Sequence, residues 1–407
     1  MHWIILTGEY PSQPGGVSDY SRLVARGLAQ AGDRVTVFAP DGDVQTPADD
    51  GVDVRRVPVL FGRSGLQQLA AELQQLDQPA RLLVQYVPQA FGDKSINVGF
   101  CHWLFRRREL PVDVMFHEVA FPWRLQPLKH NLLAAAHRVM ASLATRSADR
   151  VFVSVPAWQR VLPRRTKSGG TIQWLPVPAN LTETPPDEAL VADMRARIAP
   201  NSEDRVIGHF GTYSDPSNVL TELLPRLLQA SPLLRLVLVG RNSCEFAGRL
   251  TRPHPDLARR ITATGGLPAE QAAVSLAACD LLVQPYPDGI STRRGSVMAG
   301  LALGLPIVTA AGAQTEDIWQ QTQAVLLANA NTVNSLHAAV ERLLLTPEDR
   351  KQFGRRGQAL YQQRFCLAKT IRQLRSVIVG PVRTAEGPAP DVELCFQTCG
   401  PTTNYRP

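Results

Sequence analysis

Short apolar runs recur along the chain and alternate with longer segments in which apolar residues repeat every three or four positions. Such short runs are typical of strands buried in a parallel sheet, and the longer repeats are typical of helices that cover the sheet. The pattern predicts strands at residues 3–6, 34–39, 54–60, 82–87, 112–117, 150–155, 172–176, 205–210, 234–239, 261–264, 281–284, 306–309 and 325–328.

The segments with helical periodicity are 18–30, 66–76, 125–146, 158–162, 219–230, 269–277, 295–303, 333–345 and 347–379. A stretch rich in proline and acidic residues, 176–188, has no periodicity and predicts a linker. Because strands and helices alternate on both sides of this linker, we expect an α/β fold with two doubly wound, Rossmann-like domains that face a central cleft.

Length supports this division, because 407 residues are too many for one hydrophobic core. The predicted domains span residues 1–178 and 179–361, and a helical segment follows at 362–379. The last segment, 380–407, is rich in proline, glycine and threonine and has little apolar content, so we expect it to be disordered.

The charge of the chain is mildly basic, with a formal net charge of +7. Such a charge suits a phosphorylated substrate or an anionic membrane surface, and it is too diffuse to indicate a nucleic-acid partner. The first apolar run is too short for a signal peptide, and no run approaches the roughly 18 apolar residues of a membrane span. We therefore expect a soluble cytoplasmic protein that contacts a membrane at most from its surface.

The six cysteines are scattered, which is typical of reduced thiols in a cytosolic protein. Cys395 and Cys399 form a single CxxxC pair without a second pair or nearby histidines, so no metal site is expected there.

The most informative segment is 281–310, which reads as a strand, a polar loop, a helix, a tight turn and a strand. Arg293 and Arg294 stand where the helix would begin, although the helix dipole disfavours cations at that end. A bound anion between these side chains and the free amides of Gly295 and Ser296 would explain them, and a diphosphate is the obvious candidate. The alternative is that both arginines are solvated or paired with surface carboxylates.

Other predicted strands also end in residues that suit a nucleotide. Glycines after the first strand allow a ligand to approach the backbone, and similar loops follow three strands of the second half. These residues are Gly15, Gly16, Gly211, Thr212, Arg241, Gly265 and Gly266. His117 ends a strand of the first half and could contact a hydroxyl or a donor sugar, or simply bond to backbone; no HExxH motif follows, so zinc is not expected.

Eight motifs, in this order and at this spacing, resemble the family-four glycosyltransferases of GT-B architecture over most of residues 1–375. They are the PGGVSDY loop, the strand ending in HE, LPVPANL, VLVG, ACDLLVQPYPDG, GLALGLPIVT, TEDIW and QRFCLAKTIRQL. The last motif looks like the helix that returns to the N-terminal domain in that family.

The resemblance implies that the C-terminal domain holds a sugar nucleotide and the N-terminal domain holds the acceptor. It further implies transfer with retention of anomeric configuration, without a metal, in carbohydrate biosynthesis. By position, Gly15 and Gly16 would line the donor phosphates or sugar, His117 would face the sugar, Ser296 would lie against the diphosphate, and Glu316 would lie near the nucleotide. The donor would be the only co-substrate, and the acceptor an unknown glycan or lipid-linked molecule.

Two departures from the family pattern leave the activity open. Ser291 and Ala299 occupy positions where the family usually carries glutamates, and the GTYSDPSN loop lacks its basic pair. Arg293 and Arg294 would supply the missing positive charge. A non-catalytic sugar-nucleotide-binding protein and a sugar-nucleotide epimerase therefore remain alternatives, whereas a two-lobed extracellular solute-binding protein is disfavoured by the absence of a signal peptide.

The predicted catalytic residues are thus His117, Arg293 and Arg294. The residues predicted to bind the donor are Gly15, Gly16, Gly211, Thr212, Arg241, Gly266, Asp288, Gly295, Ser296 and Glu316. Basic segments at 105–110 and 164–167, with Trp103, Trp123 and Trp158 nearby in sequence, either contact an anionic membrane at its inner face or form a solvated basic surface.

Overall fold

The computed structural model describes residues 1–41, 49–76, 79–92, 95–107, 110–121, 123, 129–181, 185–214 and 218–376. The predicted tail at 380–407 and the Cys395–Cys399 pair lie outside these residues. No helix in the part of the chain covered by these ranges is both long and apolar enough to cross a membrane.

The first domain contains a seven-stranded parallel sheet. Its strands lie in the order β3-β2-β1-β4-β5-β6-β7. They are β1 His2–Thr7, β2 Arg34–Ala39, β3 Val52–Arg56, β4 Ala80–Tyr86, β5 Val112–Phe116, β6 Arg150–Val153 and β7 Ile172–Trp174. Helices α1 Gly16–Gln30, α2 Arg63–Gln74, α3 Val98–Arg106 and α4 Lys129–Ser147 accompany this sheet.

The second domain contains a six-stranded parallel sheet in the order β10-β9-β8-β11-β12-β13. Its strands are β8 Arg205–Phe210, β9 Leu234–Val239, β10 Ile261–Ala263, β11 Leu281–Val283, β12 Ile307–Ala310 and β13 Leu326–Ala328. Its helices are α5 Glu188–Ile198, α6 Asn218–Ala230, α7 Ser243–Thr251, α8 Ala269–Ala277, α9 Gly295–Ala302, α10 Ile318–Thr322, α11 Val333–Leu345 and α12 Pro347–Leu360. The prediction of two doubly wound domains is confirmed.

The strand order of each sheet reverses at its first strand, because β1 lies between β2 and β4, and β8 lies between β9 and β11. Such a reversal opens a crevice beyond the carboxyl ends of the strands, and ligands of doubly wound sheets bind there. The loops that follow β1 and β8 therefore lie at the two predicted ligand-binding edges.

The strands form where the sequence supplies apolar side chains to both faces of the sheet. All six residues of β1 are buried. Helix α1 covers one face because Tyr20, Val24 and Leu28, spaced four apart, are buried together against it. Apolar burial on both sides of the sheet thus explains why the short runs predicted the strands well.

The chain passes between the domains twice. It first crosses after β7, and it crosses back after α12 through a π-helical turn, Tyr361–Phe365, into α13, Leu367–Arg375. In α13, Leu367, Ile371 and Leu374 pack into the apolar cluster around β1. The backbone amide of Ala179, on the first crossing, donates a hydrogen bond of 3.2 Å to the hydroxyl of Tyr361, on the second.

An ion pair buried under the first sheet also holds this last helix. Asp113 of β5 accepts a 2.8 Å bond from Arg81 and pairs with Arg150 of β6. The Arg150 guanidinium also donates to the backbone carbonyl of Leu374, at 2.6 Å. Both Asp113 and Arg150 are almost inaccessible to solvent. Because water cannot stabilise their charges, each charge is stabilised by the other.

Several predicted boundaries are wrong for local reasons. The strand expected at 54–60 ends at Arg56, because Pro58 cannot donate to a neighbouring strand and Val59 has a positive φ of 51°. The helix expected at 158–162 is a 3₁₀ helix, Pro156–Arg160. Four helices were not predicted, namely α3, α5, α7 and α10. Helix α5 begins at the last residue of the predicted linker, after Asp187 caps it by accepting a 2.8 Å bond from the Ala189 amide.

Candidate active site

A cavity of about 800 Å³ lies between the carboxyl ends of the two sheets. Its walls come from the loops after β1, β8, β9, β10 and β11 and from the start of α9. The residues of the predicted site that line it are Gly15, Gly16, Gly211, Thr212, Arg241, Gly266, Arg293, Arg294, Gly295 and Ser296. The fold thus gathers residues that are spread over more than half of the sequence.

The two arginines stand at the start of α9, where Arg294 occupies the N-cap position. Their side chains are only 18% and 25% exposed, which excludes the fully solvated alternative. The guanidinium of Arg294 lies 4.6 Å from the centre of the Tyr286 ring, within the range of a cation–π contact. The Nε atom of each arginine is buried and has no hydrogen-bond partner.

Tyr286 supports both Arg294 and the helix start. Its hydroxyl lies 2.7 Å from the hydroxyl of Ser296, the second residue of α9. Burial raises the pKa of Tyr286 to about 12, so the phenol stays protonated at neutral pH. Tyr286 therefore contacts two residues of the predicted site, Arg294 and Ser296, without adding a charge.

Both arginines also lie near carboxylates, as the alternative prediction expected in part. Arg293 lies 3.5 Å from Asp288 and 3.4 Å from Glu118, and Arg294 lies 3.9 Å from Asp288. Burial lowers the pKa of Arg293 and the neighbouring Arg294 lowers it further, whereas Glu118 and Asp288 raise it. Asp288 thus faces the arginines rather than the cavity.

A second cavity, of about 440 Å³, adjoins the first on the N-terminal side and shares Arg293 and Arg294 with it. His117 lines it, with its ring edge against Tyr20 and its Nε2 atom 2.8 Å from the side-chain oxygen of Gln85. Burial lowers the pKa of His117 to about 3, so the ring is neutral. A neutral imidazole can exchange a hydrogen bond with a sugar hydroxyl but cannot supply positive charge.

Three carboxylates of the cleft received no role from the sequence. Glu9 follows β1 and lines the smaller cavity, where burial, Glu118 and Asp19 raise its pKa. Asp19, in the first turn of α1, lines the larger cavity, and burial raises its pKa. Glu118 accepts a 2.6 Å bond from Gln89. The position of Glu9 directly after the first strand is the signal that could have found it.

Glu316 holds the loop that carries the arginines. Its carboxylate accepts bonds from the Thr292 amide at 2.9 Å and from the Trp319 indole at 2.7 Å. The Thr292 hydroxyl lies 2.5 Å from Glu316 and 2.8 Å from the backbone carbonyl of Ser154, in the other domain. Glu316 therefore contacts the site through Thr292, and it is not among the residues that line either cavity.

Two family models match the chain in succession. The Glycosyl transferase 4-like domain matches residues 15–167, and the Glycosyl transferases group 1 model matches residues 204–346. These matches cover strands β2 to β6 of the first sheet and all six strands of the second sheet. The chain belongs to the family-four-like glycosyltransferases of GT-B architecture.

Solved structures of other glycosyltransferase-fold proteins share the architecture. Sucrose-phosphate synthase from Thermosynechococcus elongatus is 19% identical with a TM-score of 0.67, over 92% of this chain and 97% of that one. HepE of Anabaena, solved with UDP and glucose, is 18% identical with a TM-score of 0.66, over 92% of this chain and 98% of that one. At these identities the likeness shows the fold alone. No curated protein sequence matches the chain.

The two residues of this glycosyltransferase that replace the family glutamates lie in its interior. Ser291 and Ala299 are both fully buried. Ala299 belongs to the apolar core of the second domain, and the hydroxyl of Ser291 has no hydrogen-bond partner. Neither residue places a carboxylate in the cleft.

The basic segments of the glycosyltransferase are only partly described, because residues 108 and 109 lie outside the described ranges. Arg107 stacks on Trp103 at 4.7 Å, and Arg138 stacks on Trp123 at 4.4 Å. Trp158 instead packs against the core of the first domain, with its ring centre 5.9 Å from the Arg293 guanidinium. Peripheral membrane contact stays a prediction.

In the described ranges, no three histidine, cysteine, aspartate or glutamate side chains are placed to hold a metal ion. The four cysteines within those ranges, Cys101, Cys244, Cys279 and Cys366, are free.

Buried histidines predict how stability depends on pH. Burial lowers the pKa of His117 and of His209 to about 3, from an ordinary value of 6.5. Below pH 6.5 the unfolded chain binds protons that the folded chain does not, so stability is complete above that pH and falls as the pH drops towards 3. Each histidine should contribute a slope of about 1.4 kcal/mol per pH unit.

The measurement is the free energy of unfolding by urea at several pH values between 6 and 4. His117→Gln should remove about 1.4 kcal/mol per pH unit from the slope, and His117→Gln/His209→Gln about twice that amount. Slopes equal to that of the wild type would show that both rings are protonated in the folded protein.

Proposed function

We propose that this glycosyltransferase moves a sugar, with retention, from a nucleotide-diphosphate-sugar donor to a glycan or lipid-linked acceptor. The observation that carries the proposal is the pair Arg293 and Arg294, which are largely buried in the cleft at the start of α9 with unpartnered Nε atoms. A bound ligand or an ordered water would satisfy such donors, and the position of this pair at the wall of the cavity favours a ligand. The structure of HepE with UDP-glucose supports a donor of this class.

The charges of the larger cavity favour a diphosphate. Three guanidinium groups line it, from Arg241, Arg293 and Arg294, whereas Asp19 is the one carboxylate among its described lining residues. The first amides of α9 have no acceptor within the helix, and the helix dipole is positive at this end. Arginine also binds phosphate oxygens through two parallel donors, so the pair can hold both phosphates.

The same groups would stabilise the departing diphosphate. As the bond between the anomeric carbon and the diphosphate oxygen breaks, the electron pair stays on that oxygen, and fixed donors stabilise the developing charge. The acceptor hydroxyl attacks the anomeric carbon from the same face, and its proton passes to the leaving diphosphate. His117 lines the smaller cavity, where its neutral ring would bond to a sugar hydroxyl. Closure of the domains would exclude water and limit hydrolysis of the donor.

One observation favours an alternative in which the protein binds a sugar nucleotide but does not catalyse transfer. Ser291 and Ala299 are buried at the positions of the two family glutamates, so the cleft lacks their carboxylates. A protein that binds a sugar nucleotide without transferring the sugar would satisfy the arginines equally well. Donor binding without release of diphosphate over a panel of acceptors would favour this alternative.

A thermal-shift screen against UDP, GDP and ADP and their glucose or mannose derivatives tests the proposal. At a ligand concentration about 100 times the Kd, binding stabilises the protein by about 2.7 kcal/mol. We expect one nucleotide series to raise the melting temperature, equally with and without EDTA. If no nucleotide at millimolar concentration shifts it, the donor site is assigned wrongly; a shift that disappears with EDTA would show that a metal is needed.

A further inference from the structure

Arg293 bridges two carboxylates that belong to opposite domains. Its Nη1 atom lies 3.4 Å from Glu118, at the end of β5 in the first domain. Its Nη2 atom lies 3.5 Å from Asp288, in the loop after β11 of the second domain. This glycosyltransferase therefore joins its domains through the guanidinium that the proposed diphosphate also needs.

Neither contact has the geometry of a strong ion pair. Hydrogen bonds between arginine and a carboxylate usually measure about 2.7–2.9 Å, and both contacts are longer. The Nε atom of Arg293 is buried without any partner. Glu118 is anchored instead by Gln89, which donates to its other oxygen at 2.6 Å. Arg293 is thus enclosed by negative charge but not fully bonded to it.

We propose that Glu118 and Asp288 compete with the diphosphate for Arg293 and are displaced from it when the donor binds. This inference rests on the proposed donor site. A diphosphate would offer the Nη atoms of Arg293 shorter bonds than either carboxylate provides. The two carboxylates therefore compete with other anions for Arg293. An anion binds there only if its interaction with Arg293 is stronger than that of the carboxylates.

Displacement has a second consequence, in the smaller cavity. Glu118 and Glu9 both line it, next to His117. While Glu118 pairs with Arg293, its charge is partly neutralised. Once the diphosphate takes Arg293, the Glu118 carboxylate remains bonded to Gln89 and its other oxygen is available to a hydroxyl in the smaller cavity. Glu118 thereby couples binding of the diphosphate to binding in the smaller cavity.

The test measures the Kd of inorganic pyrophosphate and of UDP, GDP and ADP by titration calorimetry. Glu118→Gln removes the competing charge and keeps a side chain that can bond to Gln89. We expect it to tighten pyrophosphate binding about two- to fivefold, the size of one partly exposed ion pair. Asp288→Asn should tighten binding as well, which keeps the test valid if one variant folds poorly.

The matched control is Glu9→Gln, which removes the same charge from the same cavity although no ion pair joins Glu9 to an arginine in the described structure. A general electrostatic effect would tighten binding equally in both variants, and that result overturns the proposal. So does an unchanged or weaker Kd in Glu118→Gln and Asp288→Asn.

Failure of the donor site gives a different result. If the wild type binds no diphosphate, the proposed function is contradicted, and displacement then predicts measurable binding in Glu118→Gln/Asp288→Asn. If that double variant also fails to bind, both proposals are wrong. If the wild type binds and the variants do not bind more tightly, the donor site stands and displacement alone is wrong.

Discussion

Arg293→Ala/Arg294→Ala should weaken binding of the preferred nucleoside diphosphate by about 10²- to 10⁴-fold, because a hydrogen bond to a charged group contributes about 1.5–3 kcal/mol and two arginines are lost. Sugar transfer should fall further, since removal of one fixed donor to a developing charge typically slows turnover about 10²- to 10³-fold. Calorimetry gives the Kd, and release of nucleoside diphosphate gives the rate.

A variant with the same net charge separates local from long-range electrostatics. Arg355 and Arg372 are both exposed and lie outside the two cleft cavities. Arg355→Ala/Arg372→Ala should leave the Kd within about twofold, because exposed charges beyond roughly 10 Å are screened at 0.1 M salt. Equal losses in the two double variants would mean that the arginines of α9 act only through the overall charge of the protein.

The second large effect concerns stability. Asp113→Asn should lower the free energy of unfolding by about 3–5 kcal/mol, because it leaves two guanidinium groups under the sheet without their counter-charge. Asp113 is completely buried and pairs with both Arg81 and Arg150. Since Arg150 also donates to the carbonyl of Leu374, the variant should loosen α13 as well. Urea unfolding measures the loss, and proteolysis near residue 367 detects the loosened helix.

Asp193→Asn is the control, because Asp193 and Arg197 form an ion pair on the exposed face of α5. Exposed pairs of this kind contribute about 0.3–0.5 kcal/mol. A loss for Asp113→Asn as small as that of the control would show that the buried pair is offset by the cost of desolvating its charges.

The sequence predicted the parts of this protein that depend on local chemistry. Each strand of the described residues overlaps a predicted one. Most were found because a strand buried on both faces contains a continuous apolar run, such as residues 3–6 of β1. The arginine pair was also predicted, because cations at a helix start conflict with the helix dipole. In both cases the evidence lies within a few residues.

What the sequence did not predict depends on contacts between distant segments. Glu118 and Arg293 are 175 positions apart in sequence and belong to different domains. The sequence around either residue therefore does not indicate their contact. Trp158 was grouped with a basic segment that follows it in sequence, whereas the fold places it beside Arg293. Helix α5 escaped prediction because Ile198 is its only buried residue, which leaves almost no apolar stripe to detect.

The hydrogen bond between Ala179 and Tyr361 limits how the domains can move. It ties together the two segments through which the chain passes between the domains, so sliding or twisting would have to break it. A rotation about the two crossings keeps this bond intact. We therefore expect the cleft to open and close by a pivot at these two crossings.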